Sequence, residues 1–129
     1  MPATALYASI LGLLLFVLSA RTIRLRQRLR IAIGDGSNKE LLRAMRVHAN
    51  FSEYVPLTLL LLLIVETYAG GTMLVHVFGG CLVAGRCIHA FGVSRLDEKL
   101  ALRVTGMVLT FVALVGASLR LLLGFAGVF

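Results

Sequence analysis

A stripe of polar side chains interrupts an otherwise apolar part of the sequence, RAMRVHANFSEYVPLTLLLLLIVE. At 100° per residue, Arg46, Asn50 and Glu53 fall within an arc of about 60° on a helix. Arg43 lies beside this arc, and His48 points to nearly the opposite side. Guanidinium groups bind carboxylates, and a carboxylate can hold an ammonium group. The spacing therefore predicts a site for a small zwitterion that carries additional carboxylates.

Two later segments supply further groups of the same kind. Arg86 and His89 are three residues apart and share a helix face, and Lys99 and Arg103 lie on nearly one stripe. Both groups lie beside basic connections, as the first stripe does, so we expect all three to lie at one depth. Together they predict a cleft rich in arginine, with Glu53 as an anchor for an ammonium group.

The same residues also admit interpretations other than a ligand site. Snorkelling to lipid headgroups explains Arg43 and Arg46 but not Glu53, which gains nothing beside anionic lipid. A purely structural network, in which Arg46 pairs with Glu53, stays open. The three His and six acidic residues lack the close spacing of a metal motif, so no metal site is predicted. A Ser-His-Asp arrangement and a nucleophile elbow are likewise missing from the sequence.

The composition indicates a membrane protein with one domain, residues 1–129. The chain is 59% hydrophobic, and its mean hydropathy is +0.94. A soluble domain of this size could not bury so much apolar surface. Apolar segments at about 3–20, 49–69, 72–91 and 104–127 each approach the roughly 20 residues that a helix needs to cross a bilayer. We therefore predict an all-α, up-down bundle of four transmembrane helices.

The basic residues are distributed unevenly between the predicted connections. Between the first and second spans lie Arg21, Arg24, Arg26, Arg28, Arg30, Lys39, Arg43 and Arg46, and around the third connection lie Arg86, Arg95, Lys99 and Arg103. This asymmetry predicts that both basic connections face the cytoplasm and both termini face the other side. It also explains the net charge of +7 by contact with anionic lipid headgroups, without a nucleic-acid partner.

Local signals predict where some helices begin and how closely they pack. Ser37 with Glu40 forms a possible capping box for the second helix, and Ser94 with Asp97 forms one for the fourth. Small residues recur at small-xxx-small spacing within residues 79–85, which permits close helix contact. Spacing alone leaves open whether that contact lies within one chain or between chains.

Four motifs in this order resemble the MAPEG family (membrane-associated proteins in eicosanoid and glutathione metabolism), in its small bacterial branch. RVHANFSEYVP (46–56) is similar to the helix-two pattern Arg-x-His-x-Asn-x-x-Glu followed by proline. IRLRQR (23–28) resembles the basic end of helix one, GRCIHAFG (85–92) the Arg-x-x-His segment of helix three, and LRVTG (102–106) the start of helix four. The resemblance covers nearly the whole chain.

The resemblance implies a homotrimer of four-helix bundles that binds glutathione as a co-substrate between neighbouring subunits. By position, the residues expected to hold glutathione are Arg24, Arg46, Asn50, Glu53 and His89. The resemblance assigns Arg103 to catalysis, as the group that stabilises the thiolate, since a nearby guanidinium favours the anion of a thiol. Glu53 would suit the ammonium group of glutathione and the arginines its carboxylates.

These features lead to one expected function and to alternatives. The first is a glutathione-dependent transferase or peroxidase of the bacterial inner membrane, acting on a lipophilic electrophile or hydroperoxide. The alternative is a non-catalytic lipid-binding or scaffold protein of the same fold, and a transport component is a third. Arg46, Asn50 and Glu53 favour a ligand site, whereas Val93 stands where eukaryotic enzymes of the family often carry a tyrosine. The residues leave open whether the chain is an enzyme.

Overall fold

The computed structural model describes residues 2–68, 72–97 and 99–128, and these residues form four α-helices without any strand. The helices are α1 (Ala3–Leu29), α2 (Lys39–Tyr68), α3 (Thr72–Ser94) and α4 (Leu100–Phe125). Each of these described helices is long and apolar enough to cross a membrane. The prediction of an all-α fold with four membrane-spanning helices is therefore confirmed.

The helices α1 and α2 extend beyond the apolar segments that predicted them. With 30 residues, α2 is about 45 Å long, whereas the hydrocarbon core of a bilayer is about 30 Å thick. The additional turns pack on each other: Leu25 of α1 and Leu41 and Ala44 of α2 are buried in a small cluster of their own. The end of the bundle that carries the α1–α2 and α3–α4 connections is here called the basic end. This cluster shows that the helices are packed together at that end.

The two middle helices, α2 and α3, hold the bundle together. Each contacts the other three helices, whereas α1 and α4 do not touch within the described ranges. The main core consists of residues such as Val47, Phe51, Leu82 and Ala113. Many side chains on the outside are large and apolar, as expected for a surface that faces lipid.

A contact between two glycines brings α3 and α4 together at backbone distance. A Cβ atom on Gly85 would lie 2.8 Å from the carbonyl oxygen of Gly106, and one on Gly106 would lie 2.7 Å from the backbone nitrogen of His89. The hydroxyl of Thr110 donates to the Gly106 carbonyl at 2.8 Å. The close contact that the small residues predicted therefore lies within one chain at Gly85, and it places His89 beside the start of α4.

We expect Gly106→Ala to lower the free energy of unfolding by about 1–3 kcal/mol, because the added methyl group must push the α3 backbone away. The matched control is Gly80→Ala on α3, where a Cβ atom meets nothing within 4 Å. That change should be neutral or stabilising by up to about 1 kcal/mol, since alanine favours a helix over glycine. Reversible unfolding in mixed detergent micelles measures both, and equal effects would contradict the close contact.

A carboxylate from another helix caps the N-terminus of α1. The backbone N–H groups of Ala3 and Thr4 both donate to the side chain of Glu66 near the end of α2, the second at 2.9 Å. Pro2, the residue before α1, makes no side-chain cap. A negative charge is favourable at a helix N-terminus, where N–H groups lack partners. Glu66 therefore has a structural explanation at the end of the bundle opposite the basic end.

Two arginines cap the C-terminus of α3 in a similar way. Arg43 of α2 donates to the carbonyl oxygen of Val93 at 3.1 Å. Arg21 of α1 donates to the hydroxyl and the carbonyl oxygen of Ser94, the latter at 3.4 Å. Cations are favourable at a helix C-terminus, where carbonyl groups lack partners. Part of the arginine content at the basic end therefore fixes helix ends.

The predicted capping box of α2 is wrong by one residue. The backbone of Ser37 is left-handed, with φ at 58°, and the side chain of Asn38 instead accepts from the N–H of Leu41 at 3.0 Å. Glu40 forms a salt bridge with Arg28 of α1, at 2.6 Å. Asparagine caps a helix as well as serine does, so a neighbouring residue fills the role that sequence assigned to Ser37.

The predicted capping box of α4 is also wrong. Ser94 belongs to α3, and Lys99 precedes α4 without a side-chain cap. Asp97 instead accepts two hydrogen bonds from Arg95, at 3.0 and 2.9 Å. These hydrogen bonds hold the pKa of Asp97 below its usual value. The acidic residue that resembled a cap is therefore used within the connection itself.

Candidate functional site

A cavity of about 300 Å³ opens between α2, α3 and α4 at the basic end of the bundle. Its walls are formed by Lys39, Leu42, Arg43, Arg46, Asn50, Glu53, His89, Val93 and Arg103. Five of the six residues named from the sequence as candidate ligand contacts or catalytic groups thus lie around one cavity. Arg24 is the exception.

Helix α2 supplies the longest wall of the cavity because its polar residues recur every three or four positions. Arg46 and Glu53 are exposed, and Asn50 is half-buried between them. On the opposite face of the same turns, Val47 and Phe51 are buried in the core, which fixes the rotation of the helix. Arg46 and Glu53 do not form an ion pair in the part of the chain that the structure describes.

The opposite wall comes from α3 and α4. His89 is 5% exposed and is held against α4 by the contact with Gly106. Val93, one turn later on α3, is also buried, and Arg103 in the first turn of α4 is exposed. Arg103 therefore faces the stripe on α2 across the cavity.

The charge of the cavity is strongly positive. Its walls carry four basic groups, Lys39, Arg43, Arg46 and Arg103, against one carboxylate, Glu53. Clustered cations beside an apolar, low-dielectric wall attract anions more strongly than the same charges in water. The arrangement suits a small ligand that carries more than one negative group and one positive group.

Arg24 lies elsewhere in the structure. Together with Arg21, Leu25, Arg28 and Glu40 it lines a second cavity of about 210 Å³ between α1 and the start of α2. A single chain therefore does not bring Arg24 to the five residues of the first cavity. The family resemblance predicted one site for all six residues, and it implied that this site is formed between neighbouring subunits.

Arg86 occupies a position that sequence reasoning did not foresee. It was expected to line the cleft with His89, but its side chain is 1% exposed and lies behind the cavity wall. One terminal nitrogen, Nη1, donates to Oδ1 of Asn50 at 2.7 Å, and Nη2 lies 3.3 Å from the sulfur of Met107. The guanidinium carbon is 5.9 Å from the ring centre of Tyr54. The Arg-x-x-His spacing pointed to the residue, but its partner on α2 lies 36 positions away.

His48 lies away from the cavity, as its place on the helix predicted. Its Nε2 atom is 3.0 Å from the hydroxyl oxygen of Ser19 on α1. This hydrogen bond joins α1 to α2 within the bundle. The histidine of the Arg-x-His-x-Asn pattern is therefore explained by packing, whereas the arginine, asparagine and glutamate of the same pattern line the cavity.

Four apolar helices with a basic cavity at one end define a small multi-span membrane protein with a site suited to an anion. The chain belongs to the MAPEG family, whose family model matches residues 4–123. It is similar to the inner membrane protein YecN of Escherichia coli (strain K12), with 40% identity over 111 residues, which are 86% of this chain and 83% of the relative. The protein of the same name from Escherichia coli O6:H1 matches to the same extent. The family expected from the sequence motifs is confirmed, and the chain is a membrane protein of the glutathione and eicosanoid family.

Proposed function

We propose that this protein is a membrane-embedded, glutathione-dependent transferase or peroxidase that acts on a lipophilic electrophile or hydroperoxide. The observation that carries the proposal is the single cavity in which Arg46, Asn50, Glu53, His89 and Arg103 meet. Family membership supports the choice of glutathione as the ligand. The name of the relative, an inner membrane protein, supports the inner membrane as the proposed location.

The chemistry of glutathione fits the charges of the cavity. The tripeptide carries two carboxylates, one ammonium group and a thiol. Arg43 and Arg46 on the α2 wall suit the carboxylates, and Glu53 suits the ammonium group. The volume of about 300 Å³ lies at the lower end of the range for small-molecule sites. The cavity would thus hold part of the tripeptide within one chain.

Arg103 would carry the chemical step. A free thiol is mostly protonated at neutral pH, and a guanidinium within a few ångströms favours the thiolate. The thiolate sulfur then attacks an electrophilic carbon, forming a C–S bond as the leaving group departs with its electron pair. With a hydroperoxide, the sulfur attacks the terminal oxygen, the O–O bond breaks and the sulfur is oxidised to a sulfenic acid, while the alkoxide that leaves takes a proton from water and becomes an alcohol. A second glutathione converts the resulting sulfenic acid to a disulfide and water.

Isothermal titration of the purified protein with glutathione in detergent tests the binding step, and turnover of a chlorodinitrobenzene electrophile tests catalysis. We expect both, with the chloride ion released in proportion to the thioether formed. Binding without turnover of electrophiles or hydroperoxides would favour the second candidate, a non-catalytic binding or scaffold protein. Val93 favours that candidate, because its buried side chain on the cavity wall offers no hydroxyl group. Absence of binding would contradict the proposal.

The proposed functional unit is a homotrimer, because a subunit interface would account for Arg24. This residue lies outside the cavity of its own chain, so Arg24 of the partner subunit would complete the site. We expect native mass spectrometry in mild detergent to show a trimer. We also expect Arg24→Ala to weaken glutathione binding without loss of the trimer. A stable monomer that binds glutathione would contradict this arrangement.

The proposed orientation places the basic end in the cytoplasm, where reduced glutathione is available. The basic residues of the α1–α2 connection support it. A reporter that is active only outside the cytoplasm should work when fused after Phe129 and fail when inserted at Gly36. A reporter that works only in the cytoplasm should give the opposite result. Activity of the second reporter at the C-terminus would overturn the orientation.

A further inference from the structure

Behind the cavity wall, a buried arginine meets a neutral partner. Arg86 donates from Nη1 to Oδ1 of Asn50 at 2.7 Å, and it forms no ion pair within residues 2–68, 72–97 and 99–128. Its Nε atom is buried and has no hydrogen-bond partner among those residues. Burying a cation beside a neutral amide is costly, because a carboxylate would compensate the charge far better. Stability alone therefore does not explain why position 50 is asparagine and not aspartate.

The chemistry of the two side chains fixes the orientation of the amide. A guanidinium group only donates hydrogen bonds, so the atom of Asn50 that faces Arg86 must be the carbonyl oxygen. The NH₂ group of Asn50 is then turned away from Arg86, on a side chain that is half-buried and lines the cavity. Aspartate in the same place would present an acceptor oxygen to both sides.

We propose that Arg86 is a positioning residue that holds the Asn50 amide with its NH₂ group towards the cavity, where it donates to a carboxylate of the ligand. This inference rests on the proposed function and extends it, since it assigns a hydrogen-bond direction to Asn50 and a role to a residue outside the cavity. Arg86 itself is too deeply buried to touch the ligand. Its uncompensated charge adds to the positive potential of the cavity from behind the wall.

The arrangement also gives the two polar contacts of α2 opposite roles in hydrogen bonding. Asn50 donates, whereas Glu53, one turn further along the same wall, accepts. A ligand with a carboxylate near an ammonium group satisfies both, and a ligand with two donors does not. Without Arg86, the amide of Asn50 could rotate by 180° and the distinction would be lost. Arg86 therefore contributes to specificity through Asn50.

The decisive variant is Asn50→Asp, which keeps the shape and the acceptor towards Arg86 but replaces the donor towards the cavity by a second oxygen. We expect its melting temperature to stay at or above that of the wild type, because the buried guanidinium gains a charged partner. We expect its affinity for glutathione to fall by at least about 10-fold, because a donor is lost and like charges meet. The matched control is Asn38→Asp, the same change at the cap of α2, where aspartate caps as well as asparagine does. It should keep both properties.

A second pair of variants addresses Arg86. Arg86→Met fills a similar volume and removes a buried charge, so the bundle is expected to fold. Its affinity for glutathione should fall by about 10-fold, and Arg86→Lys, which still donates to Asn50, should restore part of it. A purely structural arginine would change the unfolding transition and leave the dissociation constant unaltered. That result, or full affinity in Asn50→Asp, would overturn the inference.

The pairing of Arg86 with Asn50 can also be measured without any ligand. Asn50→Asp should give a higher melting temperature relative to its parent in the Arg86 background than in the Arg86→Met background, where the new carboxylate lacks the buried guanidinium as a partner. Equal effects in both backgrounds would show that the two side chains are not coupled and would overturn the inference. Lack of glutathione binding by the wild type, with coupling intact, would instead overturn the proposed function.

Discussion

Replacement of Arg103 by alanine should lower the turnover of an electrophile by about 10²–10³-fold, with only a modest loss of glutathione affinity. Loss of one group that stabilises a developing or reactive anion typically has an effect of this size. Arg103 faces the α2 wall across the cavity, while Arg43, Arg46 and Lys39 remain to attract the carboxylates of the tripeptide. The thiol of bound glutathione should return to its protonated form in the variant, because Arg103 is the cavity-lining residue that α4 contributes within the described part of the chain.

The ultraviolet absorbance band of the thiolate, measured at neutral pH with saturating glutathione, reports this change directly. Arg103→Lys should retain part of the band and of the turnover, because the charge stays while the planar fork is lost. Lys39→Ala is the matched control: it removes one positive charge from the same cavity at the far end of the α2 wall. It should weaken binding but preserve the band. If the wild type, both Arg103 variants and Lys39→Ala bind alike and none shows the band, Arg103 merely reaches the lipid headgroups.

The α2 wall of the cavity could be predicted because all of its residues belong to one helix. Once a helix is assumed, 100° per residue determines that Arg46, Asn50 and Glu53 share a face and that His48 does not. The structure has the first three on the cavity wall and His48 at Ser19. No knowledge of other helices was needed for this step.

The polar groups of α2, α3 and α4 were expected to meet because all of them lie beside basic connections and therefore at the same depth. His89 and Arg103 do lie on the cavity wall with the α2 stripe. Depth alone does not distinguish the cavity wall from the layer behind it, so Arg86 was expected on the wall and lies behind it. The choice between these layers depends on how closely α3 approaches α4, which the contact of Gly85 with Gly106 determines.

The helix ends were the least predictable features because their partners come from distant parts of the chain. A capping box assumes that the cap lies within a few residues of the helix. In this bundle the beginning of α1 binds Glu66, and the end of α3 binds Arg21 and Arg43. Short-range patterns carry no signal for such contacts. These contacts between a helix end and a distant side chain arise because the ends of neighbouring helices lie at the same height in an up-down bundle.

Glu53→Gln should weaken glutathione binding by about 10–100-fold while the free energy of unfolding changes by less than about 0.5 kcal/mol. A hydrogen bond to a charged group contributes about 1.5–3 kcal/mol, and the variant loses the charge that attracts the ammonium group of the ligand. The side chain of Glu53 is exposed and does not pair with Arg46 among the described residues, so folding does not depend on its charge. Titration calorimetry and unfolding in mixed micelles measure the two quantities separately.

Two controls make this result specific. Asp97→Asn removes one negative charge at a site outside both cavities, where the exposed carboxylate pairs with Arg95, and should leave glutathione affinity unchanged. Desamino-glutathione, which lacks the ammonium group, should bind wild type and Glu53→Gln with nearly equal affinity, because the interaction that distinguishes them is absent from the ligand. Unchanged affinity for glutathione together with a clear loss of stability would show that Glu53 supports the fold and does not anchor a ligand. A loss of affinity for both ligands alike would place the ammonium group elsewhere in the cavity.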